Sequence, residues 1–320
     1  MNMVTLSEGI VPGAHRFSHE AMATVFEIII VHEDGHYAHQ AAWEAFGELD
    51  RLEQDLSRFI PNSDISRINQ LSAGRPLTIG PAVFECLRLC YRLNAETNGA
   101  FDITIGSLLN CWLNEDKHPR TPSEEELVAA RQLTGMNLVQ LDEAGHTVQL
   151  DAGPVHIDLG GFGKGYAVDR MAELLRDWSI DTALIHGGAS SALALGAPPE
   201  TAGWPLTLSN PGHRRQTLAH LHLRDRALSG SGLRKGQHII DPRTAGPVEG
   251  RVAAWASAPT AATADALSTA FVVLDPDVVN HYCSDHPEVL AMIVLEGQGG
   301  KAQEDNILRY GLWQEIAHLK

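Results

Sequence analysis

From about Asn137 onward, this sequence contains a series of short apolar segments, each bounded by Gly, Pro or Asp. Segments of this length and spacing are typical of strands in a mixed or antiparallel sheet. They lie at 138–141, 148–150, 155–158, 183–185, 192–195, 218–223, 252–256 and 289–295. The part of the chain before Asn137 carries one such segment, Thr24–Val31, followed by long stretches with helical periodicity. Strands that are grouped apart from long helices predict an α+β fold, because a doubly wound fold would alternate them strictly.

Local signals place the ends of several helices. Ser63 is suited to cap a helix, because its hydroxyl can accept a hydrogen bond from a free backbone N–H group. Pro81 is favoured in a first turn, and three glutamates after Ser123 complement a helix dipole. The predicted helices cover 36–57, a segment beginning at Ser63, 80–98, a segment beginning at 121, 164–178 and 261–273. Since no linker or repeat interrupts them, we predict a single domain with a mixed, largely antiparallel sheet and helical insertions.

Charge and composition exclude several classes of protein. There are 24 Lys and Arg residues against 40 Asp and Glu, a net charge of −16, which disfavours non-specific binding to nucleic acid or to an anionic membrane.

Four cysteines do not make a disulfide framework, and Cys86 and Cys90 share a helix face that we expect in the core. No apolar run is long enough for a membrane span, and residues 1–13 lack a signal-peptide pattern. We expect a cytoplasmic protein without a membrane anchor.

A glycine-rich stretch at 159–165 separates a predicted strand ending at Asp158 from a predicted helix beginning near Lys164. Glycine lets a backbone turn sharply and approach a ligand closely. The N–H groups of the helix and the charge of Lys164 suit an anion such as a phosphate. The spacing matches neither the dinucleotide fingerprint nor the P-loop. Read alone, the stretch is equally compatible with a structural turn.

Asp265 and Thr269 are four residues apart in a predicted helix, so their side-chain oxygens share one face. Such a pair suits Mg²⁺, which prefers oxygen ligands and keeps positions for phosphate oxygens. The alternative is an ordinary helix start, where an acidic residue favours the dipole.

Two further segments carry candidate site residues. Phe101 and Asp102 follow a helix end at Asn98-Gly99, and the ring could stack on a base or a flavin, or could simply belong to the core. His238 precedes a turn that contains Pro242 and could be a general base, or a hydrogen-bonded structural residue.

Seven motifs occur in order along the chain. They are AMAT at 21–24, LSRFIPNSDISRIN at 56–69, TNGAFDIT at 97–104, DLGGFGKGYAVD at 158–169, GGA at 187–189, HIIDPRT at 238–244 and DALST at 265–269. In this order they resemble the ApbE family, the FAD:protein FMN transferases. The resemblance covers roughly 17–296, which leaves 1–16 as an N-terminal extension and 297–320 as a C-terminal tail.

The resemblance implies a domain that binds FAD and Mg²⁺, transfers FMN to a Thr or Ser hydroxyl of a target flavoprotein, and releases AMP. It implies that Gly161 (through its carbonyl), Asp265 and Thr269 hold the metal, which makes Asp265 catalytic. His238 is the candidate to position or deprotonate the attacking hydroxyl. The residues implied to hold FAD are Met22, Phe59, Ala100, Phe101, Asp102, Asp158, Lys164 and Ile240.

The chain departs from the family pattern in three places. Ala23 replaces the Gly of Met-Gly-Thr, Ala189 replaces a polar residue after Gly-Gly, and Ala245 displaces the Gly after Asp-Pro-Arg-Thr, which predicts a turn one residue longer. Two alternatives therefore stay open: an FAD-binding protein that has lost transfer, and an Mg²⁺-dependent pyrophosphatase that converts FAD to FMN and AMP. The sequence leaves the acceptor protein and the oligomeric state undetermined.

Overall fold

The computed structural model describes residues 4–6, 11, 13–114, 118–210, 216–233, 239–297, 304–313 and 316–319. The chain divides into two compact units. Unit 1 comprises Met1–Arg51, Phe162–Arg234 and Gly250–Lys320, and unit 2 comprises Leu52–Gly161 and Lys235–Glu249. Unit 2 is thus formed by two segments inserted into the chain of unit 1, as expected for helical insertions in an α+β domain. Among the described helices, none is long and apolar enough to cross a membrane.

The described residues form helices and strands in the following order. The helices are α1 (Gly35–Leu56), α2 (Asp64–Asn69), α3 (Pro81–Glu96), α4 (Gly106–Trp112), α5 (Glu124–Gln132), α6 (Gly163–Asp177), α7 (Ala261–Val273) and α8 (Pro276–Asp285). The strands are β1 (Val4–Leu6), β2 (Ala14–Ala21), β3 (Thr24–Val31), β4 (Leu77–Thr78), β5 (Val139–Asp142), β6 (Thr147–Leu150), β7 (Ala183–Gly187), β8 (Ser191–Leu195), β9 (Trp204–Ser209), β10 (Thr217–Leu223), β11 (Arg226–Gly232), β12 (Ile240–Asp241), β13 (Gly246–Pro247), β14 (Arg251–Ala258), β15 (Leu290–Leu295), β16 (Ile307–Tyr310) and β17 (Ala317–Leu319).

Unit 1 contains an eight-stranded sheet in the order β16-β15-β14-β11-β8-β7-β3-β2. Every ladder in it is antiparallel, which confirms the predicted fold class. Strand β2 runs across residue 16, and β16 pairs with β15. Parts of the predicted N-terminal extension and of the predicted tail therefore contribute strands to this sheet.

The two faces of this sheet have different neighbours. On one face, apolar residues such as Leu184, Trp255 and Met292 form a core with the smaller sheet β1-β9-β10-β17. Helices α6 and α7 pack against β7, β8, β11 and β14, and alternation along a strand gives these helices the other face. Several positions on the face against α7 carry small side chains, because the helix packs closely there. They include Ser191, Ser229 and Ala256, which lie side by side on β8, β11 and β14.

Unit 2 is built from helices α2 to α5, the three-stranded sheet β4-β6-β5 and the hairpin β12-β13. Helix α3 begins at Pro81 and buries Cys86 and Cys90 completely, so both cysteines are core residues as predicted. Ser63 and Ser123 cap α2 and α5, and the cap of α5 is a full capping box.

The prediction of a strand at 155–158 is wrong. This segment forms a single bridge between His156 and Ile105 and no ladder. The side-chain amide of Asn69 takes the place of a neighbouring strand: its oxygen accepts from the N–H of Ile157 at 2.6 Å, and its nitrogen donates to the carbonyl of the same residue at 3.0 Å. The carbonyl of His156 accepts from the N–H of Gly106 at 3.0 Å, and the N–H of Asp158 donates to the carbonyl of Ile103 at 2.7 Å. These bonds satisfy the backbone, so the extended segment before Asp158 needs no ladder.

Candidate active site

Helices α6 and α7 approach each other closely at Gly165. A Cβ atom added to Gly165 would lie 2.2 Å from the carbonyl oxygen of Ala261 and 2.8 Å from the Cβ atom of Asp265. The backbone N–H of Gly165 donates to Oδ2 of Asp265 at 3.1 Å. Glycine is therefore required here by the close approach of two helices, and the contact fixes the position of one carboxylate.

Asp265 is the buried centre of this contact, with 2% of the residue exposed. Besides the N–H of Gly165, its Oδ2 atom lies 3.7 Å from Nζ of Lys164. Its Oδ1 atom accepts a 3.3 Å hydrogen bond from the hydroxyl of Ser191 on β8. A buried carboxylate needs such partners, and the ammonium group of Lys164 compensates part of its charge.

Thr269 lies one turn after Asp265 on α7, as the spacing predicts. Its Oγ1 atom lies 3.0 Å from Oγ of Ser231 on β11 and 3.3 Å from the carbonyl oxygen of Asp265. Ser268 is completely buried, and its hydroxyl lies 2.8 Å from that of Ser231. One carboxylate, several hydroxyls and a lysine thus share the α6, α7 and β11 region of unit 1.

Asp169 holds the N-terminus of α7, a role that the sequence analysis did not assign. Its two carboxylate oxygens accept from the N–H groups of Ala261 and Ala262 at 2.7 and 2.8 Å. Burial raises the pKa of Asp169 to about 6, against the effect of these two hydrogen bonds. Its position in the motif, one turn after Gly165, was the available signal, because α6 presents both residues to the start of α7.

Met22 and Ala23 form the two-residue turn between β2 and β3. Both have positive φ angles, 50° and 56°, and Ala21 pairs with Thr24. This is the geometry of a type I′ hairpin, which favours glycine at these positions. The family preference for glycine in Met-Gly-Thr thus has a backbone reason, and in this chain the conformation is held by alanine.

The segment containing Phe101 and Asp102 is packed inside unit 2. Ala100 and Phe101 are 2% and 4% exposed, so the ring offers little surface for stacking on a base or flavin. Oδ1 of Asp102 accepts from the backbone N–H and the hydroxyl of Thr104, and Oδ2 accepts from the amide of Asn94. Burial raises the pKa of Asp102, although these hydrogen bonds act in the opposite direction. In the structure this carboxylate orders its own loop.

Asp158 forms an ion pair with Arg58, the residue before Phe59. Nε of Arg58 lies 3.0 Å from Oδ2 of Asp158, and Oδ1 accepts from the N–H of Gly160 at 2.7 Å. The guanidinium carbon of Arg58 lies 4.4 Å from the centre of the Phe59 ring, a cation–π distance, and Phe59 is 69% exposed. Arg58 therefore contacts two residues that the resemblance implies for FAD.

Arg58 also lines a cavity of about 230 Å³ in unit 2, together with Asn69, His156 and Ile157. Burial, followed by the charge of Arg58, lowers the pKa of His156.

Ile240 and the turn after it pack on α4 and α5. Ile240 is 3% exposed and belongs to a small core with Leu108, Cys111, Ala130 and Ala245. Ala245 has a φ of 61°, and its carbonyl accepts from the indole N–H of Trp112. The left-handed residue of the turn is thus Ala245 itself, which favours a replacement of glycine over the longer turn that we predicted. His238 lies outside the described residues.

The predicted site residues fall into two groups. In unit 1, Lys164 contacts Asp265, and Thr269 lies one turn further along α7. In unit 2, Phe59 and Asp158 share Arg58 as a neighbour. Gly161 belongs to unit 2, and its place among the metal ligands stays a prediction.

Comparison with known proteins gives one consistent result. The model of the ApbE family matches residues 22–294. The FAD:protein FMN transferases of Klebsiella pneumoniae and Salmonella typhimurium are each 29% identical to this chain, over 88% and 91% of it and over 85% and 87% of their own lengths.

Solved structures agree with this result. The structure of the ApbE protein from Thermotoga maritima superposes with a TM-score of 0.82 at 24% identity, covering 94% of this chain and 98% of that one, and shows the same fold. The apo flavinyl transferase ApbE of Pseudomonas stutzeri superposes with a TM-score of 0.80 at 26% identity, covering 92% and 93%. A family model that spans most of the chain, and relatives that match nearly its whole length, establish that this protein belongs to the ApbE family.

Proposed function

We propose that this chain is an Mg²⁺-dependent FAD:protein FMN transferase. The observation that carries the proposal is the buried Asp265, held by Gly165, Lys164 and Ser191 one helical turn before Thr269. The named activity of the relatives gives this arrangement its substrate, FAD, and a protein as the acceptor.

The donor set around Asp265 suits Mg²⁺ better than a softer metal. Among the described residues there is no group of three or more His, Cys, Asp and Glu side chains that could hold a metal alone. A single carboxylate with hydroxyl oxygens is an incomplete set, as expected for Mg²⁺, which retains waters and takes phosphate oxygens from a substrate. Asp265, Thr269 and the carbonyl of Gly161 would hold the ion, which supplies charge neutralisation at the phosphates when bound.

In the proposed reaction, the oxygen of a Thr or Ser side chain on a target flavoprotein forms a bond to the phosphorus of the FMN half of FAD. The bond between that phosphorus and the bridging oxygen breaks, and AMP leaves with that oxygen. The hydroxyl proton passes to a base, for which His238 is the candidate. Lys164, whose ammonium group lies 3.7 Å from Asp265, would bind the negative charge of the diphosphate.

The remaining contacts with FAD are proposed from the family pattern. Met22 lies in a hairpin turn whose backbone conformation is fixed, and Phe59 is exposed beside Arg58 and Asp158. The other residues proposed to contact FAD are Ala100, Phe101, Asp102 and Ile240, which are largely buried and would act mainly by shaping the wall of the site. Action in the cytoplasm stays a prediction, which cell fractionation tests.

The test is a transfer assay with purified protein, FAD, Mg²⁺ and a flavoprotein domain that carries a Thr or Ser acceptor. We expect the acceptor to gain the mass of FMN and AMP to appear in equal amount. Asp265→Asn and Thr269→Val should abolish or strongly reduce both signals. Thr263→Val is the matched control, because Thr263 is also a half-buried threonine of α7 but its hydroxyl pairs with Thr260.

Other outcomes would refute the proposal in distinct ways. Release of AMP without any acceptor would identify an FAD pyrophosphatase. Intact FAD that remains bound in the presence of Mg²⁺ and acceptor would identify a flavin-binding protein without transfer activity.

A further inference from the structure

A row of three serines, two of them completely buried, lies on the sheet beneath α7. Ser191 on β8 pairs directly with Ser229 on β11, and Ser231 follows two residues later, so all three side chains lie on one face. Contacts of Ser191 with Asp265 and of Ser231 with Thr269 show that this face is the one against α7. Ser191 and Ser229 are completely buried. Buried hydroxyls are costly unless they form hydrogen bonds.

The distances around Ser231 favour one order of donation among the hydroxyls. The hydroxyl of Ser268 donates to the carbonyl oxygen of Asp265 at 2.9 Å, and a carbonyl can only accept. The proton of Ser268 is thereby used, so in the 2.8 Å contact between Ser231 and Ser268 the donor must be Ser231. A hydroxyl has one proton, so in this arrangement Thr269 is the donor in its 3.0 Å contact with Ser231.

The competing arrangement has longer bonds. Thr269 could instead donate to the carbonyl of Asp265, but that distance is 3.3 Å, compared with 2.9 Å for Ser268. Since short, well-directed bonds are the stronger ones, the chain of donors runs from Thr269 through Ser231 and Ser268 to the carbonyl.

We propose that Ser231 is a positioning residue for the metal site: it accepts a hydrogen bond from the hydroxyl of Thr269 and so leaves the lone pairs of that hydroxyl for the cation. This inference rests on the proposed function, because it assumes that Thr269 is a metal ligand. Ser231 acts through Thr269 and has no contact with the reacting atoms in this role.

The hydroxyl of Ser229 supports the same view. It is buried and, within the described residues, has no hydrogen-bond partner. It lies between Ser191 and Ser231 on the face beneath α7, and a buried hydroxyl without a partner in a native protein points to an ordered water or an ion nearby. A row of serines used only for close packing would be expected to contain alanine at this position, as β14 does at Ala256 opposite Ser229.

The experiment measures Mn²⁺ binding by electron paramagnetic resonance, with the full chain saturated with FAD and without acceptor. In parallel, the Mg²⁺ concentration that gives half-maximal FMN transfer is measured. The variants are Ser231→Ala, Ser231→Thr, Asp265→Asn and the control Ser257→Ala. Ser257 is a completely buried serine on the neighbouring strand β14, and its hydroxyl donates to the carbonyl of Ala227 on the opposite face of the sheet.

We expect Ser231→Ala to raise the dissociation constant for Mn²⁺ and the half-saturating Mg²⁺ concentration about tenfold, a typical cost of losing the partner of a metal ligand. The maximal rate at saturating Mg²⁺ should change much less. Ser231→Thr should restore tight binding, because it keeps the acceptor oxygen, and Ser257→Ala should bind Mn²⁺ as the wild type does.

The inference is overturned if folded Ser231→Ala binds Mn²⁺ within twofold of the wild type while Asp265→Asn loses binding. It is also overturned if Ser257→Ala weakens binding as much as Ser231→Ala, since the effect would then be general loss of packing. Mn²⁺ binding that persists in Asp265→Asn would instead refute the metal site of the proposed function.

Discussion

Replacing Gly165 by alanine perturbs the contact between α6 and α7 most directly. The new Cβ atom would lie 2.2 Å from the carbonyl oxygen of Ala261, where ordinary contacts begin near 3.4 Å. It would also lie 2.8 Å from the Cβ atom of Asp265. Neither a carbonyl oxygen nor a Cβ atom moves when a side chain rotates, so no change of rotamer relieves the clash. The two helices must separate by about 1 Å, since a packed interior has no free volume to absorb the methyl group.

The magnitude follows from two losses. Inserting a methyl group into a packed contact costs about 1–3 kcal/mol, and the hydrogen bond from the N–H of Gly165 to the carboxylate of Asp265 contributes about 1.5–3 kcal/mol. Because the two effects overlap, we expect Gly165→Ala to lower the free energy of unfolding by about 3 kcal/mol. A carboxylate displaced by about 1 Å should lower the rate of FMN transfer by about 100-fold.

The assays are urea unfolding followed by circular dichroism and the FMN transfer assay at saturating Mg²⁺. Gly47→Ala is the matched control, because Gly47 lies inside α1 and a Cβ atom added there meets nothing within 4 Å. This control should be more stable than the wild type by about 1 kcal/mol, from helix propensity alone. If Gly165→Ala keeps wild-type stability and rate, the close approach of the two helices does not hold Asp265, and the reasoning fails.

Three further predictions concern other parts of the chain. Ala23→Gly should raise the free energy of unfolding by about 1 kcal/mol in urea titrations, because alanine is strained at a φ of 56°; an unchanged midpoint would contradict the turn geometry. Asn69→Asp should lower it by about 2 kcal/mol and weaken FAD binding in a fluorescence titration, because a carboxylate cannot donate to the carbonyl of Ile157. Asp169 has its pKa raised to about 6 in the folded protein, so the folded state holds the proton more tightly than the unfolded state. Its contribution to stability should therefore fall as the pH rises from about 4 to about 6, by up to about 3 kcal/mol. Asp169→Asn should remove that part of the pH dependence, and parallel curves of unfolding free energy against pH would refute the shift.

Local patterns in the sequence predicted most of the elements that carry the site. Helix α7 begins at Ala261 and ends at Val273, as its periodicity indicated, and α6 begins within one residue of the predicted position. Capping by Ser63 was also predicted correctly. These features depend on residues close together in the chain, so they can be read without knowledge of the tertiary structure.

Two of the wrong predictions have an identifiable physical cause. Strand β11 was not predicted, because its inward-facing residues include Ser229 and Ser231 in place of apolar side chains. The hydroxyl of Ser231, which weakens the hydrophobicity pattern of this strand, is the one that contacts Ser268 and Thr269 of α7. Conversely, 155–158 has the pattern of a strand, but Asn69 satisfies the backbone of Ile157 instead.

The sequence by itself determined that Asp265 and Thr269 share a helix face, that a glycine-rich stretch precedes Lys164, and that the ordered motifs are those of one family. Only the tertiary structure decided which groups surround Asp265, because Gly165 and Ser191 are distant from it in the chain and meet it through helix packing and strand register. Spacing along the chain fixes the direction of neighbouring side chains on a helix, but partners from other elements depend on the packing of the whole unit.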